Sequence, residues 1–276
     1  MTTPIDLDAF REFEVGGWEK VGGAYHRFVG SITARVIDPL LDAAHVAPKA
    51  RVLDVATGPG YVAARAGERG AAVIGVDISA PMVALASRNH PGIEFRQADA
   101  EKLPFEGGSF DAVVSNFILG HLAYPERAVL ELARVLKPQG SLALSWWDVP
   151  ERARILGLFV DAVREAGASP PPDLPPGPPM FQFSADEELS KLLGTAGLKG
   201  IEVRVVSFTH RVSGSDELWD GLLPGTVRIQ ALIFRQPAEM QRRIREALDR
   251  LLRQYAVGDG FEIPVSVKIA AGRNPR

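Results

Sequence analysis

The 276-residue sequence contains no cysteine, no large excess of charge of either sign and no long apolar run. Without cysteine, disulfides, thiolate nucleophiles and zinc–thiolate sites are excluded. The net charge of −3 gives no electrostatic reason to expect a nucleic acid or an anionic membrane as partner. The acidic N-terminal segment has no apolar core of the kind found in a secretory signal, and no run approaches the roughly 20 residues of a membrane span. These absences predict a cytoplasmic protein.

The five histidines are scattered along the chain and form no cluster with acidic residues at the spacing of metal ligands. No metal site is therefore predicted.

A short apolar strand over residues 51–55 ends in a turn that contains Gly58 and Gly60, and a helical pattern begins at Tyr61. Glycines allow the backbone to approach a ligand closely, and the first turn of a helix offers free N–H groups. A second apolar run over residues 72–76 is followed by Asp77, where a carboxylate is placed to accept hydrogen bonds from a ribose diol. The pattern predicts a nucleotide-type site.

Strand and helix patterns alternate between residues 51 and 147. Strands are predicted at 51–55, 72–76, 93–96, 111–116 and 140–146, with helices at 60–69, 80–89 and 125–136 and a shorter one at 117–122. Such alternation is typical of a parallel sheet wrapped by helices on both faces, with its ligand at the carboxyl ends of the strands.

Two less regular regions flank this core. Residues 5–46 have a helical pattern that the pairs Gly16-Gly17 and Gly22-Gly23 interrupt, and the better helix, over residues 25–44, contains Pro39 as a kink or a break. After residue 150 the sequence predicts helices at 153–166 and 185–196, strands at 201–212 and 261–270, and a mostly helical stretch at 215–257. The proline-rich segment 169–180 is either a stiff flap over the site or a spacer.

Five segments carry a resemblance to a known family. They are Val52-Leu-Asp-Val-Ala-Thr-Gly-Pro-Gly60, Val76-Asp-Ile-Ser79 with Met82, Gln97-Ala-Asp-Ala-Glu101 with Leu103-Pro104-Phe105, Phe110-Asp-Ala-Val-Val-Ser-Asn-Phe117, and Arg134-Val-Leu-Lys-Pro-Gln-Gly140. In this order and at these spacings, the sequence resembles the class I S-adenosylmethionine (SAM)-dependent methyltransferases, in particular the ubiquinone/menaquinone-biosynthesis-type enzymes.

The resemblance implies an α/β fold: a Rossmann-like, doubly wound, seven-stranded, mostly parallel sheet with an antiparallel last strand at its edge and a helical cap. In this organisation, residues 1–50 form an N-terminal cap segment and residues 51–150 form the SAM-binding core. Residues 151–276 complete the sheet and carry the proline-rich loop 169–180 and the helical cap insertion 215–257.

The resemblance also implies a set of cofactor-binding positions. They are Tyr25, Asp54, Ala56, Gly58, Gly60, Asp77, Ile78, Met82, Asp99, Ala100, Glu101, Asn116 and Phe117. Ala56 replaces the first glycine of the family motif, and Asp54 has the alternative role of ordering the glycine turn. His121, His26 and Asp148 are candidates for a catalytic base, and His121 is the one kept, because imidazole titrates near neutral pH; its alternative is a structural or cofactor-contacting role.

The expected reaction is in-line transfer of the SAM methyl group to a small-molecule acceptor. Because the predicted cap offers many aromatic residues, we expect this acceptor to be apolar. These are Trp18, Phe28, Trp146, Trp147, Phe181, Phe183 and Trp219, with Leu222 and Leu223. Two alternatives stay open: a SAM-binding protein that has lost methyl transfer (a cyclase or a binding module), and an NAD(P)-dependent oxidoreductase, since Gly58–Ala63 fits Gly-x-Gly-x-x-Gly/Ala. The sequence does not fix the oligomeric state, and a homodimer through the cap is compatible with it.

Overall fold

The computed structural model describes residues 5–275, and their strands form one sheet. The strands are β1 (Arg51–Val55), β2 (Ala72–Asp77), β3 (Glu94–Gln97), β4 (Phe110–Asn116), β5 (Leu136–Trp147), β6 (Lys199–Val212), β7 (Ala256–Val257) and β8 (Gly260–Arg273). Their order in the sheet is β3-β2-β1-β4-β5-β8-β6, and the two-residue β7 pairs only with β8. Neighbours among β1 to β5 are parallel, whereas β8 is antiparallel to both β5 and β6. The predicted α/β fold with a mostly parallel sheet is confirmed.

Ten α-helices accompany the strands in the described part of the chain. They are α1 (Leu7–Arg27), α2 (Val29–Thr33), α3 (Ile37–Ala43), α4 (Tyr61–Glu68), α5 (Ala80–Asn89), α6 (Pro125–Arg134), α7 (Arg154–Glu165), α8 (Asp186–Thr195), α9 (Arg228–Phe234) and α10 (Ala238–Leu252). Short 3-10 turns occur at Ala34–Val36, Leu119–His121, Gln182–Ser184, Leu223–Gly225 and Arg253–Tyr255, and a π-helical segment spans Glu217–Leu222. None of the helices within residues 5–275 has the length and apolar character needed to cross a membrane.

The central strands are covered on both faces. Residues 52 to 55 of β1 are all buried, although neighbouring side chains of a strand point to opposite sides of a sheet. Continuous burial of this kind requires helices on each side, which is the usual state of a parallel sheet. The edge strand β6 alternates instead between exposed and partly buried residues.

The last strand is not the edge strand that the resemblance implies. β8 lies between β5 and β6, and β6 forms the edge. The burial patterns explain this order, because residues 265–270 of β8 are all buried whereas Val205 of β6 is 48% exposed. A strand covered on both faces belongs inside the sheet. β7 is absent from the seven predicted strands, because two residues carry no readable alternation.

The N-terminal helices differ from the prediction in two ways. α1 runs through both glycine pairs without a break, and the predicted helix over residues 25–44 is divided at Phe28 and at the 3-10 turn Ala34–Val36. Pro39 lies in the first turn of α3, where a missing N–H removes no helical hydrogen bond. The glycines of α1 instead allow close packing: a Cβ on Gly17 would lie 2.4 Å from Val227 Cγ1, and one on Gly22 would lie 3.2 Å from Met82 Sδ.

Gly16 and Gly17 offer a matched pair of substitutions in α1. A Cβ on Gly16 meets nothing within 4 Å. We therefore expect Gly16→Ala to raise the free energy of unfolding by up to about 1 kcal/mol, because alanine is the better helix former. Gly17→Ala has the same gain in propensity, but its methyl group overlaps the stiff side chain of Val227, and we expect a net loss of about 1–3 kcal/mol.

Urea unfolding of the two variants beside the wild type measures this difference. If both substitutions stabilise the protein equally, the close contact between α1 and Val227 is absent in solution.

Candidate active site

A cavity lies at the carboxyl ends of the parallel strands, beneath α1. Its wall combines the loops after β1, β2, β3 and β4 with α1, the end of the proline-rich segment and residues 222–229. Twelve of the fourteen predicted site residues line it: Tyr25, Ala56, Gly58, Asp77, Ile78, Met82, Asp99, Ala100, Glu101, Asn116, Phe117 and His121. Asp54 and Gly60 do not. The alternation of strand and helix thus brings most of the predicted site together.

Asp77 joins two of these loops. Its Oδ2 accepts a hydrogen bond from the N–H of Gly58 at 2.8 Å, and its Oδ1 accepts one from the N–H of Ser79 at 2.9 Å. Burial raises the pKa of the Asp77 carboxyl. A carboxylate has about four lone-pair sites, so two hydrogen bonds leave capacity for a ligand on the cavity side.

The turn after β1 depends on left-handed backbone conformations. Ala56 has φ +57° and Gly58 has φ +53°, so the alanine in place of the family's first glycine adopts a conformation that costs an L-residue roughly 1–2 kcal/mol. A Cβ on Gly58 would meet no protein atom within 4 Å. Gly58 therefore has space on its open side, as a backbone that approaches a ligand requires.

Gly60 is required by packing within the protein. It has φ +89°, and a Cβ there would lie 2.8 Å from His90 Cδ2 and 2.9 Å from Phe95 Cζ, so the contact between the turn and the region around β3 depends on this glycine. Gly60 is not part of the cavity lining, and its predicted contact with the cofactor stays a prediction.

Asp54 also lies behind the cavity wall. Its side chain is fully buried, and Oδ2 accepts hydrogen bonds from Thr57 Oγ1 at 2.6 Å and from the N–H of Ala63 at 3.0 Å. Burial raises the pKa of Asp54 to about 7, although both hydrogen bonds act in the opposite direction. The structure supports the alternative role, in which Asp54 orders the turn, because the carboxyl group is not part of the wall.

Asp99 and Glu101, which also line the cavity, face α1. Asp99 forms an ion pair with Arg11, whose Nε lies 4.0 Å from Glu101 Oε1. Burial raises the pKa of Glu101, and the neighbouring Asp99 acts in the same direction. Ile78 and Met82 provide apolar surface in the same cavity. A carboxylate beside apolar side chains is suited to a flat, polar-edged group.

The end of β4 is held in an unusual conformation. Phe117 has φ +63°, which is rare for a bulky residue, and its N–H donates to Ser145 Oγ at 3.0 Å. The Asn116 side chain is already engaged, because its Oδ1 accepts from Ser145 Oγ at 2.5 Å and its Nδ2 donates to the Thr33 carbonyl at 3.3 Å. Strain of this kind persists where the surrounding structure fixes it, which is common at functional sites.

Tyr25 lines the cavity, but its hydroxyl is bonded within the protein. It lies 3.0 Å from Thr33 Oγ1, and burial raises the pKa of the phenol to about 12. Thr33 in turn donates to the carbonyl of Val29 at 3.2 Å, so the phenol proton is directed to Thr33. The predicted contact with a cofactor carboxylate stays a prediction.

His121 lies between α1 and the strand ends. Its Nδ1 is 2.9 Å from Oε2 of Glu14, a side chain that is only 3% exposed. The indole rings of Trp18 and Trp146 contact the imidazole edge-on, with centroids 4.9 and 5.5 Å away. The ring is thus held on both sides.

The remaining wall is largely apolar. Trp18, Trp146, Trp147 and Leu222 line the cavity as predicted, whereas Phe28, Phe181, Phe183, Trp219 and Leu223 do not belong to its lining. Phe183 and Leu223 are core residues. In the predicted cap, α10 packs on α7 and contributes nothing to the lining.

The end of the proline-rich segment is part of the wall. Met180 lines the cavity, and its carbonyl accepts a hydrogen bond from Trp146 Nε1 at 2.9 Å. Arg228 Nη2 donates to the Pro178 carbonyl at 2.8 Å. These contacts support the flap interpretation over the spacer.

Three charged lining residues, Arg11, Glu14 and Arg228, are absent from the predicted site. Arg228 lies in a stretch whose sequence has no motif. Glu14 had a readable signal, because the buried face of α1 repeats through Phe10, Glu14, Trp18 and Val21, and an acid at an apolar position of a helix is unusual.

Comparison with known proteins places this site in a family. Residues 53–144 match the family model of a methyltransferase domain. The demethylmenaquinone methyltransferase of Chlorobaculum tepidum is 32% identical over 174 residues, which cover 57% of this chain and 69% of that protein. The chain belongs to the class I SAM-dependent methyltransferase family.

Other members of the family agree with this assignment. The demethylmenaquinone methyltransferase of Renibacterium salmoninarum is 38% identical over 111 residues, 40% of this chain and 47% of that protein. The chain thus spans about half the length of several curated relatives that it matches. The crystal structure of the YcgJ protein from Bacillus subtilis has a TM-score of 0.57 at 20% identity, covering 88% of this chain and 99% of that one, and shows the same fold. Membership of this family does not favour the oxidoreductase alternative.

The buried Asp54 predicts a specific dependence of stability on pH. Because the folded-state pKa of about 7 lies above the ordinary value of 3.8, the stability contributed by the protonated group is fully present below pH 3.8 and is lost as the pH rises through 7. We expect Asp54→Asn, which cannot ionise, to reduce the fall in unfolding free energy between pH 4.5 and 7.5, by on the order of 2–4 kcal/mol. Urea unfolding at both pH values measures the difference.

Asp38→Asn is the control, because hydrogen bonds from Arg65 and Arg69 lower the pKa of Asp38 to about 2. Stability from Asp38 is present above pH 3.8 and lost as the pH falls towards 2, so the slope between pH 4.5 and 7.5 stays that of the wild type. An unchanged slope in Asp54→Asn would contradict the buried, protonated state of this carboxyl group.

Proposed function

We propose that this protein is a methyltransferase that moves the methyl group of SAM to an apolar small-molecule acceptor. The observation that carries the proposal is that the family's cofactor positions converge on one cavity. Asp77 and Asp99 both line it, with apolar Ile78 and Met82 in the same wall, and the N–H of Ala98, next to Asp99, donates to the Asp77 carbonyl at 2.9 Å.

The donor set fits the cofactor. Asp77 has lone pairs left for two ribose hydroxyl groups after its bonds to the loop, and charge-assisted acceptance of this kind is strong. Asp99 accepts from the N–H of Glu101 at 2.9 Å and has lone pairs left for an amino group at the edge of the adenine. The open side of Gly58 leaves room for the amino acid tail.

When bound, SAM supplies a methyl group already activated by the positive sulfur, so the protein has to provide orientation and exclusion of water. Phe117 and Trp147, whose ring centroids are 4.4 Å apart, form an apolar surface at the end of β4. His121, which also lines the cavity, is the candidate base. The acceptor then lies between the strand ends and α1.

The apolar wall supports an apolar acceptor. Trp18, Trp146, Trp147, Leu222 and Met180 all line the cavity. Pockets of this composition bind small molecules mainly through apolar contact, with a few polar groups that fix orientation. The names of the relatives, which are demethylmenaquinone methyltransferases, also support a small-molecule acceptor.

Calorimetric titration with S-adenosylhomocysteine, with NADH as the comparison ligand, tests the proposal. We expect saturable one-to-one binding of S-adenosylhomocysteine and no binding of NADH. Formation of S-adenosylhomocysteine from SAM, measured with a panel of apolar acceptors, then separates an active methyltransferase from a protein that only binds the cofactor. Binding of NADH alone would overturn the proposal.

Asp77→Asn should weaken binding of S-adenosylhomocysteine by about tenfold or more, because the amide loses the charge and one acceptor oxygen while it keeps the size of the side chain. Asp111→Asn is the matched control. Asp111 is at the amino end of β4 and also accepts a backbone N–H, that of Arg51 at 2.8 Å. Equal affinities of the two folded variants would show that Asp77 does not contact the ligand.

A further inference from the structure

Glu14 presents a carboxyl group inside the cavity that the cofactor positions do not use. The residue is 2% exposed and comes from the middle of α1. Its Oε2 contacts Nδ1 of His121 at 2.9 Å, whereas its Oε1 is buried without a hydrogen bond and lies 4.0 Å from Nε of Arg228. An acid in such a place is expensive to ionise unless other charges compensate it.

Arg228 compensates the negative charge of Glu14 from the side of Oε1, so that Oε2 stays bonded to His121. Its Nη1 and Nη2 donate to the carbonyls of Gly120 and Pro178, and its guanidinium lies over the ring of Phe10. Burial lowers the pKa of Arg228, and the neighbouring Glu14 acts in the opposite direction. Arg228 is thus a fixed positive neighbour of the Glu14 carboxylate.

An ionised carboxylate only accepts hydrogen bonds, so the contact with Nδ1 requires the proton of a neutral imidazole to be on Nδ1. The other nitrogen, Nε2, then carries the free lone pair. No hydrogen bond joins Nε2 to any group within residues 5–275, and His121 lines the cavity. Glu14 therefore selects the tautomer in which His121 accepts a proton from the cavity side.

We propose that Glu14 is a positioning residue that keeps Nε2 of His121 as a proton acceptor, and that the methyl acceptor carries an ionisable hydroxyl group. This inference rests on the proposed methyltransferase function. The hydroxyl proton moves to Nε2, the oxygen lone pair forms the bond to the methyl carbon, and the electron pair of the broken carbon–sulfur bond stays on sulfur. The resulting imidazolium is stabilised by the Glu14 carboxylate.

A purely structural role for Glu14 makes different predictions. In that case the contact between Glu14 and His121 only attaches α1 to the turn Leu119–His121, and the position of the imidazole proton has no consequence. The two roles are distinguished by the tautomer of His121 and by the split between kcat and KM.

The first measurement is 15N NMR of the histidine side chains at a pH where imidazole is uncharged, with the His121 signals assigned through His121→Gln. We expect Nδ1 of His121 to be protonated and Nε2 unprotonated in the wild type, with and without S-adenosylhomocysteine. In Glu14→Leu, which retains an apolar side chain of similar size, the proton distributes over both nitrogens. Protonated Nε2 in the wild type would overturn the proposal without reference to any variant.

Glu12→Leu is the matched control, because Glu12 is an exposed residue of the same helix. It should leave both the His121 tautomer and S-adenosylhomocysteine binding unchanged. Binding of S-adenosylhomocysteine by Glu14→Leu establishes that the variant is folded around an intact cofactor site. If the wild type does not bind this ligand, the proposed function fails, whereas normal binding with the wrong tautomer overturns only the role of Glu14.

Turnover tests the acceptor class. With SAM as donor, naphthol-type acceptors are compared with the same ring systems in which hydrogen replaces the hydroxyl group. We expect transfer only to the hydroxylated compounds, a kcat about 10²-fold lower in Glu14→Leu than in Glu12→Leu, and a KM for SAM that stays the same. Transfer to the compounds without the hydroxyl group, or an unchanged kcat in Glu14→Leu, would contradict the proposal.

Discussion

The hydrogen bonds of Asp77 to the N–H groups of Gly58 and Ser79 fix the floor of the cavity. They join the loops after β1 and β2 beyond the last main-chain bond between the two segments, which the N–H of Thr57 donates to the Val76 carbonyl at 2.9 Å. One carboxylate thus extends the connection past the point where the strand pairing ends. The same group lines the cavity, so the loop geometry and the proposed ligand contact depend on one side chain.

The sheet leaves the cavity open above the strand ends, and α1 closes it through polar contacts as well as through the close packing at Gly17 and Gly22. Arg11 pairs with Asp99, Glu14 contacts His121, and the Trp18 carbonyl accepts a hydrogen bond from Ser79 Oγ at 3.2 Å. Each of these contacts involves a loop that follows a different strand. An apolar helix could have covered the same surface, but it would have removed the partners that α1 provides for the half-buried imidazole of His121 and for Asp99.

The sequence was sufficient for the core because its signals are local. The strand, the glycine turn and Asp77 follow one another within 27 residues, and the parallel order brings their ends together. The position of β8 could not be predicted in this way, because nothing in the sequence of residues 260–273 indicates that β6 pairs with the edge of β8 that faces away from β5. The different surroundings of Gly58 and Gly60 could not be predicted either, because only the fold shows that His90 lies against Gly60 and that the space beside Gly58 is open.

Glu14 and Arg228 illustrate a different limit. They are distant in the sequence, and their role depends on α1 and α9 meeting above the same cavity.

Among the described residues, the lining of that cavity contains four carboxyl groups and two guanidinium groups. The excess of acid favours a positively charged ligand over a neutral one of the same shape. In the proposed reaction, methyl transfer converts the sulfonium of SAM into a neutral thioether, so the charges that favour binding of the donor do less to retain the product.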